Sequence, residues 1–204
     1  MPLRRAFYTT ASAIVYPLFN AKLGTVEGVE HLPKHGGFLI ACNHVDWLDG
    51  FYIVAAVGRA RGVPTHFLTA SSNYRWTTIA VQIPTDRSQI ISTAVNHLQS
   101  GKVICNFPEA SRNSSATLLP GKTGTVRMAA EAGVPIIPAG ITCDAGRNMG
   151  QSLQYLFSSG HPVRLRFGAP LMCSTPSTGV TTEWLSSETE RLMRAIAPLC
   201  NKHV

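Results

Sequence analysis

In "GGFLIACNHVDWLDGFYIVAAVG" (36–58) a short apolar run gives way to a polar knot, and the knot to a longer apolar run. The first run, 36–42, follows a Gly-Gly pair and contains no charge, which fits a strand buried on both faces. The second, 46–58, has the length of a helix, capped by Asp46 and closed near Gly58. A buried strand that hands over to a helix is the repeating unit of a parallel α/β sheet. The rest of the chain repeats it. Runs at 65–70, 79–84, 102–107 and 134–141 read as strands, and 162–170 alternates as a half-exposed strand does. Segment 88–101 sets Ile90, Ile91, Ala94, Val95 and Leu98 at helical spacing, with Ser88 to cap it and Gly101 to stop it. Two further helices are expected at 123–133, ended by Gly133, and at 182–199, with Leu185, Leu192, Met193 and Ile196 on one side. The expected fold is a single α/β domain with a mainly parallel central sheet flanked by helices.

Bulk composition narrows the classes of function. The 204 residues suit one domain; 45% are hydrophobic and 14% charged, which excludes a disordered chain. The net charge of +7 favours anionic partners such as phosphorylated substrates or an acidic lipid surface. Basic runs and interleaved aromatics are lacking, which weighs against nucleic acid. Five scattered cysteines, never spaced C-x-x-C, point away from zinc and disulfide frameworks and towards a reducing compartment. Residues 1–22 form an expected membrane-associating appendage to an α/β domain at 23–204. The uncharged stretch 6–21 is broken by Pro17 and falls short of the ~20 apolar residues that span a bilayer. An interfacial helix suits it, with Arg4 and Arg5 at head groups and Phe7, Ile14, Val15, Leu18 and Phe19 in the apolar boundary. The alternative is a helix packed on its own domain.

His44 and Asp49 are five residues apart, roughly 140° around a continuous helix, so within one helix they do not meet. If the helix begins at Asp46, His44 lies outside it and Asp49 points back at the entering chain. A carboxylate on one imidazole nitrogen fixes the tautomer and makes the other nitrogen a better base. Asp46 competes for this role, and the spacing alone also fits a capping acid beside an incidental histidine. A metal hydrolase using His44, Asp46 and Asp49 is the weaker reading, because the other six histidines form no spaced ligand pair with them. A second polar loop, "FPEASRN" (107–113), places Glu109 and Arg112 after another strand. Arg87 follows a third in "PTDRS", and Lys122 lies downstream. Arginine forks at strand ends suit a phosphate. A Gly-rich phosphate loop of the G-x-x-x-x-G-K-[ST] kind is absent from the sequence.

"NHVDWLD" resembles the N-H-x-x-x-x-D block of the glycerolipid acyltransferases, the family of the 1-acylglycerol-3-phosphate O-acyltransferases. "FPEASR" is similar to its F-P-E-G-T-R block, "LLPGKTGTVRMAAEAGVPIIPAGI" to its later stretch, and "IPTDR" and "VRLRFGAPL" to its second block and closing strand. The resemblance runs from about Val26 to Pro170. It implies that His44 is the general base and Asp49 its orienter. It further implies that Arg87, Arg112 and Lys122 grip the acceptor's phosphate and that Glu109 braces the loop or touches the acceptor. Ala110 stands where the family has Gly, Ser111 keeps the hydroxyl of the family's Thr, and Pro84 is a departure in the second block. The implied reaction moves a fatty acyl group from acyl-CoA or acyl carrier protein to 1-acyl-glycerol 3-phosphate, giving phosphatidic acid. Glycerol 3-phosphate or another lysolipid, such as a lyso-ornithine lipid, is the alternative acceptor, and a non-catalytic lipid-binding relative the alternative role. No cofactor or metal is implied. The implied setting is the cytoplasmic face of a membrane, with peripheral or monotopic attachment. Backbone amides at the start of the helix after His44 are the candidate oxyanion donors.

Overall fold

The computed structural model describes residues 13, 16–69, 81–84, 87–175 and 179–204. Among these residues seven strands form one sheet: β1 (Leu23–Glu27), β2 (Phe38–Cys42), β3 (Thr65–Thr69), β4 (Val81–Pro84), β5 (Val103–Asn106), β6 (Ile136–Thr142) and β7 (Val163–Phe167). Their order is β1-β7-β6-β2-β5-β3-β4, and of the neighbouring pairs β6·β7 is antiparallel and the rest parallel. The expected α/β architecture is borne out. The helices are α1 (16–22), α2 (Asp49–Arg61), α3 (Ile90–Gln99), α4 (Gly124–Ala132), α5 (Met149–Phe157) and α6 (Thr182–Ile196).

Strand β2 explains the layering. All five of its residues are buried, and alternate side chains enter different clusters. Phe38, Ile40 and Cys42 pack with Phe19 of α1, Tyr52 and Ile53 of α2, and Leu156 of α5. Leu39 and Ala41 pack with Leu98 of α3, Val126 and Met128 of α4, and Leu192 and Ile196 of α6. The sheet is thus covered on both faces, as a parallel sheet requires. Each fully buried Ile or Leu in these layers contributes roughly 1.5–3 kcal/mol of transfer free energy.

Several expectations shift. Helix α2 begins at Asp49 rather than Asp46 and runs through Gly58 to Arg61, stopping at Gly62 with φ 65°. Gly58 does not end it because a Cβ there would lie 2.9 Å from the Tyr16 ring; this glycine admits α1 rather than breaking α2. Helix α3 follows a 3-10 turn at Arg87–Gln89 and starts at Ile90, not at Ser88. Helix α5 and strand β1 were not expected; α5 is opened by Asn148, whose side chain accepts the Gln151 N–H at 3.0 Å. Pro84 ends β4, last in the strand order, where a missing N–H costs little. Pro138 lies inside β6. The β6·β7 register pairs Ala139 with Phe167, but Ile136 with Leu171, so one extra residue bulges from the β7 side opposite Ile137, next to Pro138, whose carbonyl accepts the Gly168 N–H at 2.8 Å.

Arg4, Arg5, Phe7, Ile14 and Val15 lie outside the described residues. Phe19, expected at a lipid boundary, is buried; its ring stacks on Phe51 at 5.3 Å and meets Tyr52 edge-on at 5.1 Å. Residues 16–22 therefore pack on the domain. Among the described residues no helix is long and apolar enough to cross a membrane.

Candidate active site

Parallel pairing of β2 with β5 sets Ala41 beside Asn106, so the two polar loops that follow leave the sheet at the same edge. The carboxyl ends of strands are where α/β sheets build sites. Asn43 fixes the first loop by acting as a strand residue would: its Nδ2 donates to the Ile141 carbonyl at 3.0 Å and its Oδ1 accepts the Ile141 N–H at 2.8 Å. His44 is the next residue.

His44 and Asp49 meet. Nδ1 of His44 lies 2.8 Å from Oδ2 of Asp49, and the same oxygen accepts the N–H groups of Val45 at 2.6 Å and Asp46 at 2.8 Å. The histidine precedes the helix and the aspartate sits in its first turn, so the chain between them curls round one carboxylate oxygen. Asp46 shapes that curl. Its Oδ1 accepts the Leu48 N–H at 2.9 Å, a side-chain turn that delays the helix to Asp49. Its Oδ2 takes the Gly146 N–H at 2.8 Å and the Ser152 hydroxyl at 2.6 Å, tying the curl to α5. Asp46 is thus a strut and Asp49 the partner of His44.

Asp49 is fully buried. Burial pushes its carboxyl above the usual range, while the hydrogen bonds from His44, Asp46 and Val45 pull it back. With donors converging on Oδ2, the proton of the His44–Asp49 bond is assigned to Nδ1, and Nε2 keeps its lone pair. Among the described residues nothing is hydrogen-bonded to Nε2, and the His44 side chain keeps 20% exposure. The ring lies flat on Phe107, 4.2 Å between centroids. A partly exposed imidazole, oriented on one nitrogen and open on the other, is a general base in geometry. The Cys143 thiol approaches the other Asp49 oxygen at 3.7 Å, and burial beside these carboxylates holds it protonated.

Glu109 is buried and spends both oxygens on protein donors. Oε1 accepts the His44 N–H at 3.1 Å; Oε2 accepts Asn113 Nδ2 at 2.8 Å and the Leu119 N–H at 2.9 Å. The Asn113 N–H returns to the His44 carbonyl at 2.7 Å. Of the two roles open to it, the geometry gives Glu109 the brace. Arg112 lies with its guanidinium carbon 3.3 Å from the Trp47 ring centre, which brings its charge over the His44 turn while leaving it exposed. Lys122 joins through its backbone, donating to the Pro108 carbonyl at 2.9 Å, with its side chain exposed. Ser111 is exposed, and among the described residues no hydrogen bond links it to His44. Arg87 opens the 3-10 turn before α3; its side chain lies outside the described residues.

Four of the expected oxyanion donors are otherwise engaged, while among the described residues no hydrogen bond occupies the Trp47 and Gly50 amides. The amides of Val45 and Asp46 serve Asp49, and those of Leu48 and Asp49 serve Asp46. Asn43, Phe107, Asn113 and Ser152, which sequence reasoning did not single out, hold the site together. Asn43 and Asn113 were visible as polar residues next to the two motifs, whereas Ser152 carried no signal. No group of three His, Cys, Asp or Glu side chains that could hold a metal ion occurs among the described residues.

Ala110 has φ 59°, the left-handed region, with its N–H closing a turn onto the Phe107 carbonyl at 3.0 Å. At this departure from Gly the loop keeps the turn and takes the strain. Ala110→Gly is expected to raise stability by up to about 1 kcal/mol, read as a rise of roughly 2–4 °C in Tm. An unchanged or lower Tm would show that this turn costs Ala nothing.

Comparison with known proteins follows the same line. Residues 24–142 match the family profile described as Acyltransferase. A Bacillus subtilis (strain 168) protein named 1-acyl-sn-glycerol-3-phosphate acyltransferase is 29% identical over 187 residues, covering 87% of this chain and 88% of that protein. A Limnanthes alba protein of the same name is 27% identical over 129 residues, 57% of this chain and 44% of its own length. The crystal structure of the 1-acyl-sn-glycerophosphate acyltransferase PlsC from Thermotoga maritima superposes with a TM-score of 0.62 at 20% identity, covering 96% of this chain and 81% of that one. That likeness supports the fold.

Proposed function

Since the chain belongs to the Acyltransferase family, we propose that it carries a fatty acyl group from a thioester of coenzyme A or acyl carrier protein to the hydroxyl of 1-acyl-glycerol 3-phosphate, giving phosphatidic acid at the cytoplasmic face of a membrane. The observation that carries this reading is the 2.8 Å His44–Asp49 pair with Nε2 left open. Nε2 takes the hydroxyl proton as the acceptor oxygen attacks the thioester carbonyl. Asp49 steadies the imidazolium that results. The tetrahedral intermediate collapses by expelling a thiolate, which His44 reprotonates. A thiol leaving group of pKa ~8.5 departs without a covalent acyl-enzyme, so no serine or cysteine nucleophile is needed. The cysteines fit that reading: burial pushes the thiols of Cys42, Cys105 and Cys143 far up, away from the reactive thiolate form.

The acceptor phosphate is assigned to Arg112, held over Trp47 beside the His44 turn, with Lys122 and Arg87 as further cations. A relative at 29% identity named for 1-acyl-sn-glycerol 3-phosphate supports this acceptor. The test is a panel of acceptors and donors with the purified chain. Labelled acyl transfer to lysophosphatidic acid, with release of a free thiol, is expected. Transfer to glycerol 3-phosphate or a lyso-ornithine lipid in its place would move the acceptor, and bound lipid with no thiol release under any pairing would sink the catalytic reading.

A further inference from the structure

The two faces of the sheet differ in what their helices show to solvent. On one side α4 and α6 display Glu131, Glu183 and Glu190, beside Glu188. On the other, α1, α2 and α5 contain a single acid between them, Asp49, and it is fully buried. The described segments that carry the first and last of these helices, residues 16–26 and 145–162, contain no Asp or Glu. Asp144, on the loop that leads into α5, is turned onto His161 Nδ1 at 2.6 Å.

Apolar groups take the place of the missing acids. Phe157 is 71% exposed and Leu153, one turn earlier on α5, 41%; Leu18 on α1 is 38% exposed. The two helices are joined at their C-terminal ends, where Lys22 Nζ donates to the Ser158 carbonyl at 2.6 Å. Around them lie Lys22, exposed Arg147 at the entrance to α5, and exposed Arg59 at the end of α2. Large side chains that project from a surface whose rim is cationic and whose centre is uncharged match one partner well. Phe and Leu enter the acyl boundary of a bilayer, and Lys and Arg meet its phosphates. A second copy of the chain would bring those cations against one another, so a symmetric dimer through this face is disfavoured.

We infer that the outer face of α5, with Leu18 of α1, docks on an anionic lipid bilayer. Helix α5 is also the element that Asp46 grips through Gly146 and Ser152, so the docked helix and the His44 turn are one mechanical unit. In this way the site would be held over the surface from which a lysolipid acceptor is drawn, and to that extent the inference rests on the proposed acceptor.

The experiment is co-sedimentation of the full chain with vesicles of phosphatidylcholine mixed with phosphatidylglycerol, and with phosphatidylcholine alone. Wild type is expected to bind the mixed vesicles more tightly, with binding weakened by salt. The double variant Leu153→Gln/Phe157→Ser is expected to lose about tenfold or more in partition, with its Tm and its transfer to a water-soluble, short-chain acceptor unchanged. Equal binding by wild type and variant, or no binding by wild type, overturns the inference. A wild-type dimer that the variant converts to monomer, without vesicle binding, gives the face to a second copy and overturns it as well. Vesicle binding is read without turnover, so loss of the proposed reaction and loss of docking are told apart.

Discussion

His44→Ala should lower acyl transfer by about 10²–10⁴-fold while Tm moves by only a few degrees, roughly the effect of 1 kcal/mol. The large kinetic effect follows from Nε2, which stays open to an attacking hydroxyl among the described residues. The small stability effect follows from the geometry of Asp49. Its Oδ2 keeps the Val45 and Asp46 N–H groups when the imidazole is gone, so the curl persists. The side chain removed is one-fifth exposed and stacked on Phe107, not buried in a sealed core. Asp49→Asn makes the informative contrast. An amide keeps the shape but can present its NH2 to His44, which favours the tautomer with the proton on Nε2 and removes the base without removing the ring. Rates measured at saturating donor and acceptor, beside thermal melts, check both variants. Transfer within about fivefold of wild type in His44→Ala would reject the base outright.

How much of this was readable in the chain depends on the range of the forces involved. Strand β2 and the polar turn after it were legible because burial on both faces leaves an unbroken apolar run, and because His and Asp close to each other in sequence are constrained by local geometry. The start of α2 was read three residues early. A capping signal at Asp46 looks the same whether the side chain opens a helix or closes a turn, and what decides it is Ser152, over a hundred residues away, which takes the other oxygen. Gly58 was read as a stop for a similar reason: a glycine that ends a helix and one that admits Tyr16 are identical until α1 is placed. Helix α5 escaped because it has no charge and only nine residues, and its Asn148 cap is quiet between Gly146 and Gly150. The role of Glu109 stayed open until its partners were known, since a carboxylate that braces and one that binds substrate have the same sequence signature.

Glu109→Ala should be the most destabilising single change at the site, by about 3–5 kcal/mol, because it strands three donors at once: the His44 N–H, Asn113 Nδ2 and the Leu119 N–H. Stranded donors at the partly open end of the loop find water, which keeps the total below the sum for three sealed groups. A loss of that size corresponds to a fall of roughly 10 °C in Tm for a domain of this length. Glu109→Gln separates bracing from substrate contact. Gln fills the same space but turns one acceptor into a donor, so either the His44 N–H or the Asn113–Leu119 pair faces an NH2 group. The expected cost is about 1–2 kcal/mol, and the His44 backbone N–H, three bonds from the imidazole ring, loses its tether. The rate should therefore fall through kcat, with the acceptor KM little changed, because both Glu109 oxygens point at protein. If Glu109→Gln instead keeps the wild-type Tm and raises the acceptor KM by roughly tenfold, Glu109 touches the acceptor and the brace assignment fails.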